Sequence, residues 1–216
     1  GKPAPYNKLY RKRITPLNCS ALVTLAKDLI LSGAAITGAV VAIKGLSTWK
    51  RQLRGQSEYE LSRRILVTLF KYRDTVAGVR HPAMWAHEMP SQPEDESKNM
   101  TREHVRFYGK SKAYQARWDK VQTERTSLYA DLLEGEAIWG DELKKLFKVL
   151  FNLEHELFTS VRHYIELINP NAEEASKKAI RNSDKKRRDI MYDDLSEEGD
   201  EYRKDFQRGV DAIEKY

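Results

Sequence analysis

Five histidines, one cysteine and a run of four basic residues are the side chains here with the most chemistry to offer. The histidines are His81, His87, His104, His155 and His163. A zinc-hydrolase helix needs H-E-x-x-H, which sets two imidazoles one turn apart beside a general base, and the chain has none. A di-iron bundle needs Glu three residues before His on paired helices. No histidine here has it. His155 lies between Phe151 and Phe158 with Glu154 and Glu156 beside it. It is expected as a hydrogen-bonded or boundary histidine rather than a ligand. The lone Cys19 excludes a disulfide within the chain and any multi-cysteine zinc site, and it favours a reducing compartment. Its place beside the most apolar stretch of the chain argues against a catalytic thiol, with lipid attachment as the alternative. Phosphate-cradling G-x-x-x-x-G-K-[ST] and G-x-G-x-x-G loops are absent, as is a G-x-S-x-G elbow. The expectation is therefore no catalytic residue, no cofactor and no metal: not an enzyme.

The basic run Lys185-Lys186-Arg187-Arg188 invites a nucleic-acid reading, and the net charge of +6 suits anionic partners generally. Asp189, Asp193, Asp194, Glu197 and Glu198 follow at once and would oppose a phosphate backbone. No helix-turn-helix or RNA-binding motif accompanies the run. Nucleic acid is thus not expected as a partner, and a solvated or lipid-facing charge run is expected.

The most apolar window explains the basic excess with fewer assumptions. Leu29 to Ile43 holds fifteen residues without a charge, and continuing past Lys44 to Leu46 gives eighteen. At about 1.5 Å per residue that is about 27 Å, close to a thin hydrocarbon core. Lys44 is placed to snorkel, Trp49 to sit at the interface, and Lys50, Arg51 and Arg54 to meet anionic headgroups. Lys27 and Asp28 mark the other edge. Arg11, Lys12 and Arg13 lie further off, so the Lys/Arg bias favours a cytoplasmic C-terminal side. Ala34, Gly38 and Ala42 recur four apart, a small-residue row that would let a second helix approach. Two rivals stand: a core helix of a soluble protein, and a signal peptide cleaved near Val40 and Ala42. The chain begins with Gly1 rather than Met, as a piece of a longer protein would.

The remaining elements are expected to be helical. The membrane helix is expected to run to Gly55, and a second to start with Ser57 as N-cap. Leu61, Ile65, Leu69, Tyr72, Val76 and Val79 then recur every three or four residues, up to Gly78 and Pro82. Residues 80–101, with Pro82, Pro90 and Pro93, are expected as a loop whose Met84, Trp85 and Met89 pack on something. A third helix over 102–134 buries Val105, Tyr108, Trp118, Val121, Leu128 and Leu132, and Gly135 and Gly140 bracket a turn. A fourth, from Asp141 to Ile168, carries Leu143, Leu146, Leu150, Leu153, Leu157, Val161, Tyr164 and Ile168. Phe147, Phe151, Phe158 and Ile165 widen that stripe enough for two neighbours. Residues 169–200 are polar, with Ile190-Met191-Tyr192 as a short extended piece. A last helix places Tyr202, Phe206, Val210 and Ile213 on one face.

The fold class expected is all-α: a single N-terminal transmembrane helix, then an antiparallel helical bundle with a long helical hairpin. The parts are a polar, interfacial segment over 1–28, the span over 29–46 and a soluble domain over 47–216. The stretch Gly45-Leu46-Ser47-Thr48-Trp49-Lys50-Arg51-Gln52-Leu53-Arg54-Gly55, continued by Glu58-Tyr59-Glu60-Leu61-Ser62-Arg63-Arg64, resembles a recurring type of bacterial protein. In that type an N-terminal anchor runs into a W-K-x-Q-L segment and a cytoplasmic helical domain. The resemblance covers about residues 28 to 80. It implies the bacterial inner membrane, with the C-terminal domain in the cytoplasm, and no assigned activity. The functional expectation is a membrane-anchored scaffold or interaction module, with membrane lipid, a protein partner and a second copy of the chain as partners. Alternatives are a membrane-acting accessory or effector protein in phage, defence or stress functions, and a soluble, basic, nucleic-acid-binding bundle.

Overall fold

A computed structural model of the protein describes residues 1, 19–90 and 100–216. The basic residues Arg11, Lys12 and Arg13 and the loop residues 91–99 lie outside the described residues. Described residues form five α-helices and one short 3-10 turn, with no strand among them. The helices are α1 (Cys19–Arg80), α2 (Arg102–Trp139), α3 (Glu142–Ile168), α4 (Glu174–Asp184) and α5 (Glu201–Glu214). The chain divides into two compact units, Gly1–Gln56 and Ser57–Tyr216.

The first unit is described as helix from Cys19 onward. No break occurs at Gly55, and Ser57 caps nothing: α1 is helical throughout its 62 residues. The expected second helix is the later part of the first. The reason is energetic. A glycine in a helix interior costs only about 1 kcal/mol against alanine. The flanking Leu53, Arg54, Gln56, Glu58 and Glu60 are good helix formers, and they carry the helix across. Proline does what glycine did not, and α1 stops at Arg80, two residues before Pro82.

The second unit is a helical bundle with one apolar core. Leu61, Ile65, Leu69, Tyr72, Val76 and Val79 of α1 are all buried. They meet Leu128 and Leu132 of α2, Phe147, Leu150 and Leu157 of α3, and Phe206 and Val210 of α5 in a single cluster. Neighbouring helices run antiparallel. Arg64, early in this unit, reaches Asp131 and Glu134 late in α2, whereas Arg117, in the first half of α2, reaches the chain just after α1. Thr101 starts α2 by accepting a hydrogen bond from the His104 N–H at 3.4 Å. Gly140, at φ 80°, ends it in a conformation that glycine adopts without strain, and the hairpin turns there into α3. Gly135 lies inside α2 instead of bracketing the turn. A Cβ there would stand 3.2 Å from the Trp139 ring and 3.3 Å from Leu143, so its missing side chain makes room for the hairpin to close.

Four further findings refine the expected picture. The buried face of α2 runs through Gly109, Ala113, Tyr114, Arg117 and Val121, which leaves Val105 43% exposed and Tyr108 and Trp118 half-buried. Phe158 stays 39% exposed, its ring 4.9 Å from that of Trp118. Residues 174–184 of the polar stretch are helical. Their Glu, Ala and Lys residues have high helix propensity even though only Ile180 adds a large apolar side chain. Ile190 and Met191 are buried but form no strand.

Candidate membrane segment and the buried charge clusters

The apolar window of α1 lies in the first unit, and its geometry follows from the helix alone. Every residue from Cys19 to Gln56 is exposed. Leu29, Ile30, Leu31, Ile36, Val40, Val41 and Ile43 thus present their side chains outward all round the helix. The chain contains one helix apolar and long enough to cross a membrane among the described residues, and none of that window is buried. Three hydroxyl groups in and beside the window turn back onto the helix. Thr24 donates to the Ser20 carbonyl at 2.9 Å, Thr37 to Gly33 at 2.8 Å and Ser47 to Lys44 at 2.8 Å. Backbone and hydroxyl groups paired in this way meet the main demand that hydrocarbon makes of a polypeptide. Around Gly38 a Cβ would meet nothing within 4 Å, so the row Ala34, Gly38 and Ala42 is open. Lys44, Trp49, Lys50, Arg51 and Arg54 follow on the same helix, all exposed.

The polar chemistry of the second unit sits in three buried charges that the sequence reading passed over: Arg80, Arg117 and Glu154. Arg80 ends α1. Its Nε donates to the Ile190 carbonyl at 2.8 Å and its Nη2 to the Tyr192 carbonyl at 3.0 Å. It pairs with Asp200 and lies 4.5 Å from the Tyr202 ring centre. Its own carbonyl accepts from the Asp193 N–H at 3.0 Å. The Arg80 side chain thereby holds the two ends of the 190–200 segment, and Arg203 holds its middle through the Ser196 carbonyl and Asp193. Burial alone would raise the Asp200 pKa, but hydrogen bonds from Arg80 and the Arg203 N–H outweigh it and hold the carboxyl below its ordinary value.

Arg117 does the same for the loop after α1. It grips Glu88 with Nε at 2.9 Å and Nη2 at 2.8 Å, and donates to the carbonyls of His81 at 2.8 Å and Ala83 at 2.7 Å. Such a fork-on-carboxylate pair is among the stronger interactions available to side chains. The hydrogen bonds from Arg117 pull the Glu88 pKa down to about 2. Met84 packs on the core, and Met89 lies against Gly109, where a Cβ would stand 3.4 Å away. Trp85 does not pack as expected and is 63% exposed. It borders a cleft of about 380 Å³ shared with Gly78, His81, Glu88, Arg117 and Lys120.

Glu154 is the third. Tyr72 donates to its Oε2 at 2.5 Å and Arg125 to its Oε1 at 2.9 Å. Burial, and then the Glu154 charge, push the Tyr72 phenol well above its ordinary pKa. A signal for all three was present. Glu154 falls between Leu150 and Leu157 at helical spacing, Arg80 follows Val76 by four, and Arg117 precedes Val121 by four. A charge in line with an apolar stripe marks a buried ion pair.

The histidines serve structure or face outward. His163 Nδ1 lies 2.7 Å from Asp184 and ties α4 to α3. His104 Nε2 lies 3.1 Å from the Asn171 side-chain oxygen. His155 is exposed, beside Phe158 and Arg162 in a groove of about 650 Å³. The described residues contain no group of three metal-capable side chains. No family model, curated protein or solved structure matches the chain.

Proposed function

We propose that this chain is a single-pass membrane protein, whose Leu29–Leu46 stretch crosses the bilayer and whose helical bundle is a scaffold or interaction module at the membrane surface. The observation that carries the reading is the complete exposure of the apolar window. A core helix of this chain would bury such a surface. An exposed apolar area of this extent calls for a covering, and lipid is the one that its length fits. The Thr37 hydroxyl, turned back onto the Gly33 carbonyl, fits the same environment. The Lys/Arg excess after the span supports a cytoplasmic bundle. The bacterial inner membrane is the address that the resemblance of Gly45 to Arg64 implies. A scaffold role fits a bundle whose buried charges are engaged in internal hydrogen bonds.

The test is fractionation of the expressed chain. It is expected to stay with membranes through alkaline carbonate and to enter solution only with detergent. Recovery in the supernatant without detergent would sink the proposal. Protease added to spheroplasts is expected to leave the bundle intact. A bundle that only adds bulk at the membrane leaves the potential of overexpressing cells unchanged. Depolarisation that disappears with Gly38→Leu would instead indicate a membrane-acting effector.

A further inference from the structure

The four basic residues that follow the apolar window share one side of a helix that persists well beyond them. α1 is helical through Arg54 and Gly55, so the azimuth of each side chain is fixed. At about 100° per residue, Lys44, Lys50, Arg51 and Arg54 fall within an arc of about 120°. Leu46, Trp49 and Leu53 occupy a separate arc of about 60°. All seven are exposed. Direction matters as much as azimuth. Helical Cα–Cβ bonds tilt toward the N-terminus. For Lys50, Arg51 and Arg54, which follow the apolar window, that tilt is back toward the bilayer. Each therefore reaches for the phosphate layer from the aqueous side, while Lys44 meets it from below by snorkelling.

From this one-sided cationic face we infer that Lys44, Lys50, Arg51 and Arg54 form a binding face for anionic phospholipid headgroups in the leaflet next to the bundle. The inference rests on the membrane-spanning reading. Charge complementarity names the occupant: four cations spread over about 15 Å of helix axis from the end of the apolar stretch, facing a layer of phosphodiesters. A ring of charges would attract lipid from all sides. An arc concentrates it on one, which makes the association selective for headgroup charge and not merely for bilayer depth.

The experiment uses the full chain reconstituted in phosphatidylcholine vesicles, with spin-labelled phosphatidylglycerol or phosphatidylcholine as the probe. The readout is the relative association constant from the motionally restricted spectral component. At low salt the anionic probe is expected to be favoured several-fold, falling toward parity at about 0.5 M salt as the charges are screened. Each of Lys50→Gln, Arg51→Gln and Arg54→Gln is expected to lower that preference by up to about twofold, and the triple variant to bring it close to parity. Equal association of the two probes with the wild-type chain at low salt would overturn the inference, as would a preference that the triple variant keeps. Carbonate extraction of the same vesicles separates the two levels. A chain that resists extraction but shows no preference refutes the lipid face alone, and a chain that is released refutes the span itself.

Discussion

Glu88 and Glu154 are both carboxylates held by an arginine, the second more deeply buried and shared with a tyrosine, and each makes a separable prediction. Glu88 sits in the grip of Arg117, with a folded pKa of about 2 against an ordinary 4.5. A folded pKa below the unfolded one means that the pair's contribution is full above the ordinary carboxylate range. It fades as pH falls toward about 2. Glu88→Gln is therefore expected to destabilise the chain by about 1–2 kcal/mol at pH 7, with the gap to wild type closing in urea melts as pH falls from 4.5 toward 2. A gap that is constant with pH would show that the ion pair contributes nothing. Glu154 is 2% exposed, and its partners share the load. Tyr72→Phe leaves Arg125 alone on the carboxylate and is expected to cost about 1–3 kcal/mol. Glu154→Ala leaves the buried Tyr72 hydroxyl unpaired and opens a cavity, while the half-exposed Arg125 turns to solvent, and it is expected to cost about 2–4 kcal/mol by the same measurement.

At the scale of the element, two glycines in helices separate packing from propensity. Gly209 of α5 faces α3, and an added methyl would collide with the Leu150 side chain, itself fully buried. Gly209→Ala is expected to destabilise the bundle by about 1–3 kcal/mol despite its better helix propensity. Gly78 of α1 has nothing within 4 Å of where its Cβ would be. Gly78→Ala is expected to add about 0.5–1 kcal/mol, read as a rise in Tm of about 1–4 °C. Opposite signs from one substitution type would establish that the α3–α5 seam is set by close approach. The same contrast accounts for the helix boundaries. Gly55, between strong helix formers, has the residue type of a stop but the helix runs on, whereas Gly140, at φ 80°, ends α2. Residue type alone does not separate these cases, because the deciding quantity is backbone conformation under packing.

For the whole molecule, the proposal turns on one window preferring lipid. A charge at its centre tests this without touching the bundle. Ile36→Arg is expected to raise the insertion free energy by about 2.5–3.5 kcal/mol and to shift the chain from the carbonate-resistant fraction to the soluble one. Circular dichroism of the detergent-purified bundle should remain helical. Retention in the membrane fraction with unchanged extraction would mean that the window is not the anchor.

Much of this was legible in the residues themselves. Periodicity every three or four positions is a one-dimensional property, so the core stripes of α1, α3 and α5 could be read directly: Leu61 to Val79, Leu143 to Val161, and Tyr202 to Ile213 are buried or nearly so. The apolar window is equally a matter of counting. What folding alone decided are the meetings between stripes. Arg80 at the carbonyls of Ile190 and Tyr192, Arg117 on Glu88, and Glu154 between Tyr72 and Arg125 each join residues 29 to 112 positions apart. A charge on an apolar stripe announces that it will be buried. Only the packed helices determine which partner waits there, because that depends on the rotation and register of one helix against the next.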